Sequence, residues 1–141
     1  MKATDFMVGD WLRYSPKSIS LNNNYGGLYR AEGVSQDTIS LGAKNYRFVV
    51  SDKEIDSIPL TPEILEKNGF CFVKSSDRDT VWNGWWIYKN LELGTCCLDR
   101  EGNWPCYINI VDLNIKCEYV HQLQHALCLC GFNELADNFK V

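Results

Sequence analysis

The chain has 141 residues, of which 45% are apolar and 23% charged, and its net charge is −4. That length suits one domain or two small lobes, and a chain of this size buries about 68% of its unfolded surface, enough for a core without staples. The mixed, slightly acidic charge argues against non-specific nucleic-acid binding, because phosphate affinity comes mainly from Lys and Arg displacing counterions.

The opening MKATDFMVGDWL lacks the apolar stretch of about 7–15 residues that marks a signal peptide. No uninterrupted apolar run reaches the ~18 residues that span a bilayer. The expectation is a soluble, cytoplasmic protein with no membrane partner. Seven cysteines are present: Cys71, Cys96, Cys97, Cys106, Cys117, Cys128 and Cys130. An odd count without a signal peptide argues against a disulfide framework. Reduced and mostly buried thiols, acting as small hydrophobes, are expected instead.

In chain order, the first half reads as short strands separated by turns. DWLRYS is the opening strand, stopped by Pro16, and SLNNNYGG is dense in residues that tolerate turn geometry. LYRAEGVS and TISLGA form a pair with the reversal near Gln36 and Asp37. Ile39, Leu41 and Ala43 fall on one face, as do Tyr46, Phe48 and Val50 of YRFVVS. Strands at this spacing predict a small, strongly bent sheet or barrel.

SIPLTPEILEKNGF then predicts a short helix. Thr61 caps it, Pro62 suits its first position, Ile64 and Leu65 face inward, and Gly69 stops it. Strands return with FCFVKS and TVWNGWWIYK. The second of these sets Trp82, Trp86 and Tyr88 on one face and Val81, Trp85 and Ile87 on the other. Gly84 within it signals a bulge or a close backbone approach. GTCCLDREGNW reads as a strand entering a turn at Arg100 to Asn103. Val111, Leu113, Ile115, Cys117 and Tyr119 alternate with Asp112, Asn114, Lys116 and Glu118, so one face is buried and the other wet. Val120, Leu123, Leu127 and Cys130 recur at helical spacing, and Gly131 ends that helix. NELADNFKV adds either a turn of helix or a short edge strand.

These elements predict an α+β, strand-rich fold. Its parts are an N-terminal bent sheet or barrel, a short central helix, an antiparallel meander and a C-terminal amphipathic helix. Residues 1–60 form a barrel-like lobe, and residues 61–141 a second lobe fused to it or separate.

Three segments together resemble a known group: MKATDFMVGDWLRY, SIPLTPEILEKNGF and YVHQLQHALCLCGFNEL. In this order and rough spacing the chain is similar to a family of small hypothetical proteins of gut bacteria and their phages or mobile elements. IPLTPEIL followed by NGF, and YVHQLQ, are the specific part, and about a third of the chain carries the likeness. LCLCGF departs from the family pattern, where aromatic and small residues precede the Gly. The resemblance implies a phage or mobile-element origin. It implies no activity and assigns no residue a role.

Candidate sites are few. His121, His125 and Cys128 lie at positions 0, 4 and 7 of the last helix, within about 60° of arc at 100° per residue, and imidazole and thiolate are good zinc ligands. The alternation before the helix points Cys117, the natural fourth ligand, to the apolar face, and no Cys-x₂₋₄-Cys pair occurs. The His-bearing arc lies opposite the apolar stripe, where a solvated or partner-facing surface is expected, so no metal ligand is assigned.

Tryptophan is abundant: Trp11, Trp82, Trp85, Trp86 and Trp104. Buried indoles serve as core, and exposed ones anchor partners. Trp82, Trp85, Trp86, Trp104, His121 and His125 are therefore the candidate binding residues. No phosphate loop, nucleophile elbow or His-Glu-x-x-His motif is present, no cofactor is implied, and Asp77/Asp79 and Asp99/Glu101 sit in turn-like, solvated segments.

The expected function is a non-catalytic accessory or interaction protein that binds a macromolecular partner, a protein ahead of a nucleic acid. A nucleic-acid-binding module and a zinc-dependent protein are the alternatives.

Overall fold

A computed structural model describes residues 2–16, 26–43, 45–76, 82–96, 106–110 and 113–141; for residues 43, 82, 83, 96, 106–110, 113 and 114 it describes the backbone alone. The chain divides into two compact units, Met1–Ile58 and Pro59–Val141. This boundary lies two residues before the expected one. The fold is α+β and strand-rich, with two antiparallel five-stranded sheets and three α-helices among the described residues.

The first unit holds β1 (Trp11–Tyr14), β2 (Gly27–Val34), β3 (Thr38–Ala43), β4 (Tyr46–Ser51) and β5 (Ile55–Asp56). Their order in the sheet is β4-β3-β2-β1-β5. The two edge strands are consecutive in the chain, joined by the 3₁₀ turn Asp52–Glu54. In a flat sheet those edges would lie about 19 Å apart, at roughly 4.8 Å per strand. A 3₁₀ turn rises only about 2 Å per residue, so this connection covers less than half that distance. The sheet must therefore curl. It remains an open, bent sheet with β4 and β5 as its edges, not a closed barrel.

Register sets which side chains line the concave face. Leu12 faces Tyr29, Ala31 faces Leu41, Leu41 faces Phe48, Ile39 faces Val50 and Tyr14 faces Ile55. Leu12, Ala31, Ile39, Leu41, Val50 and Ile55 are buried, with Ala3 and Phe6 joining them from the 3₁₀ turn Ala3–Asp5 and its C-cap. A register shift between Ala31 and Gly33 adds to the bend. On the convex side the Arg30 guanidinium lies 5.0 Å from the Trp11 ring centroid, and Arg47 pairs with Glu32.

The second unit runs α1 (Pro62–Lys67), β6 (Cys71–Lys74), β7 (Trp82–Tyr88), β8 (Leu91–Cys96), β9 (Cys106–Ile110), β10 (Leu113–Cys117), α2 (Val120–Leu129) and α3 (Asn133–Asp137). The strands form a meander in the order β10-β9-β8-β7-β6. As expected, the Thr61 hydroxyl accepts the Ile64 amide at 3.3 Å, and Pro62 opens α1. Gly69 and Gly131 take φ of 86° and 83°, the left-handed stops that their positions after α1 and α2 require. The segment after Gly131 is a turn of helix. The core draws Leu65 from α1, Trp86, Leu91 and Leu93 from the sheet, and Val120, Leu123 and Leu127 from α2. Phe70 and Phe139 complete it.

From Ile115 to Tyr119 the expected alternation holds, with Ile115 and Tyr119 half-buried. Cys117 is fully buried while Lys116 and Glu118 are exposed. Gly84 meets both readings given above, since the register shifts between Trp82 and Gly84 and the Phe72 ring crosses it. The Trp82 side chain, expected on the face of Trp86 and Tyr88, lies outside the described residues. Val81, Val111, Asp112 and the expected turn at 100–103 lie outside the described residues. Among the described residues no helix is long and apolar enough to cross a membrane.

Candidate binding surface

The concave face of the first sheet changes character along its length. At one end aliphatic side chains fill it. At the other, where β1 ends and β4 begins, the register gathers four aromatic rings: Tyr14, Tyr29, Tyr46 and Phe48. Phe48 is the hub. Its ring centroid lies 5.5 Å from Tyr14, 5.3 Å from Tyr29 and 5.8 Å from Tyr46. Tyr14 and Tyr29 meet edge-on at 6.3 Å. Such tilted and edge-on contacts fit the ring quadrupoles.

Among the described residues these rings are not sealed. Tyr14, Tyr29 and Phe48 are half-buried, and Tyr46 is 48% exposed. Burial first, and then the Glu54 carboxylate, raise the Tyr14 hydroxyl above the ordinary phenol range, so it stays protonated at neutral pH. Glu54 is held beside β1 by the bond from the Ser15 amide to its carbonyl, at 2.8 Å. The result is an aromatic end with phenolic hydroxyls and a carboxylate beside it, a partly exposed apolar surface with polar groups at its margin.

The residues picked from sequence fare differently. Trp86 is 3% exposed and stacks at 5.1 Å, tilted, on Phe72. It is a core residue, which removes it as a partner anchor. Trp85 is half-buried on the opposite face of the sheet, paired with Val73 and Gly94. The Trp82 side chain and all of Trp104 lie outside the described residues.

His121 corrects the expectation of a wet helix face. It is 4% exposed, lying parallel to the Tyr119 ring at 6.0 Å and edge-on to His125 at 5.8 Å. Gln124 is buried as well, its amide donating to the Ala136 carbonyl at 3.1 Å. Gln122 and His125 are half-buried between these covered positions, and Cys128 and Leu129 beyond them are exposed.

No protein-family model, curated protein or solved structure matches this chain.

Among the described residues no three His, Cys, Asp or Glu side chains converge as metal ligands. Among the four cysteines whose side chains are described, none lies in a disulfide; Cys117 is buried, Cys130 half-buried, and Cys71 and Cys128 are exposed, while the side chains of Cys96, Cys97 and Cys106 lie outside the described residues. Burial pushes the Cys117 thiol up to about 12, so it is packing material and not a nucleophile.

The abundance of tryptophan does not point to the aromatic end of the first unit. Its signal was present in part. Tyr46 and Phe48 share a face in YRFVVS by simple alternation, but Tyr14 and Tyr29 join them only once the strand order is known.

Proposed function

We propose that this chain is a non-catalytic interaction protein that holds a protein partner on the aromatic end of its first sheet. One observation carries the reading: four mutually braced rings, Tyr14, Tyr29, Tyr46 and Phe48, at the partly open end of a curled sheet. Tyrosines supply large, rigid, amphipathic contact area and are enriched at protein interfaces. A protein partner is favoured over a nucleic acid by the Glu54 carboxylate beside Tyr14 and by the net charge of −4, both unfavourable to phosphate. A cytoplasmic setting belongs to the same proposal and is supported by the exposed Cys71, which lies in no disulfide. An accessory role for a phage or other mobile element rests on the segment resemblance alone.

Affinity capture from the source cell tests the reading, with the wild-type chain and the Tyr46→Ala variant compared at equal loading. Tyr46 is exposed enough that its truncation leaves the fold intact. The expected result is a protein enriched by the wild type and reduced at least tenfold by Tyr46→Ala, with unchanged melting. Equal enrichment by both, or none by either, contradicts it.

A further inference from the structure

We draw no further inference here: the strongest candidate, the outward stripe of Cys71, Val73, Trp85 and Ile87 on β6 and β7 of the second unit, is a partly exposed apolar face, and nothing in the structure shows what covers it.

Discussion

Cys117 and Gly84 show how single residues here are decided by their surroundings. Burial holds the Cys117 thiol at about 12, against an ordinary value near 9.0. The folded state therefore keeps its proton more tightly than the unfolded chain does. Its contribution to stability is intact below about pH 9 and is lost as the pH rises towards 12. Denaturant melts of the wild type and Cys117→Ala should show the gap between them closing over that range. A gap that stays constant would mean the thiol is not buried.

Gly84 is constrained by contact. A methyl group there would meet Cζ of Phe72 at 2.5 Å and the carbonyl oxygen of Val73 at 2.6 Å. The ring could rotate away, but the backbone oxygen belongs to the neighbouring strand and cannot. Gly84→Ala should lower stability by about 1–3 kcal/mol, the usual cost of overpacking. Adding Phe72→Ala should not rescue it. A full rescue in thermal melts would show that the ring alone sets the constraint.

Among the elements, α1 and the final segment are coupled by Asn68 and by Lys67, whose ammonium donates to the Val141 carbonyl at 2.8 Å. Asn68, at the C-cap of α1, donates from Nδ2 to the Ile64 and Lys140 carbonyls, each at 2.7 Å, and its Oδ1 accepts the Lys140 amide at 2.8 Å. These bonds tie two stretches more than seventy residues apart, and the side chain is buried. Asn68→Ala leaves the Lys140 amide and carbonyl to find water and should cost about 1–3 kcal/mol. Hydrogen exchange should quicken first at residues 139–141; unchanged protection there would contradict the clamp.

The same scale explains which elements sequence could reveal. The central helix was legible because its cap, opening proline and stop are all local. The alternation through Cys117 was legible because one wet and one buried face leave a period of two. β5 was not, since two residues form a strand only by pairing with β1. β9 was hidden for another reason. Only Val111 and Asp112 separate it from β10, and neither is the glycine that usually marks a tight reversal. The covering of His121 was equally invisible, because helical periodicity gives the angle of a residue but not what lies against it.

For the whole molecule, the α+β class was readable from strand spacing and the SIPLTPEIL punctuation. The binding surface was not. It depends on the order β4-β3-β2-β1-β5, which brings Tyr14 and Tyr29 to Tyr46 and Phe48 across three inter-strand boundaries. Indole abundance drew attention to β7, where Trp86 fills the core. Composition counts aromatic rings without saying which ones the topology leaves at an open end.

Strand β4 offers an internal comparison, because Tyr46 lies on the concave face and Val49, 65% exposed, on the convex one. A photo-crosslinking amino acid placed at position 46 or at position 49 samples the two faces of one strand in living cells. The account predicts a discrete protein adduct from position 46 that is absent from position 49. Matching adducts from both positions, or an adduct from position 49 alone, would contradict it.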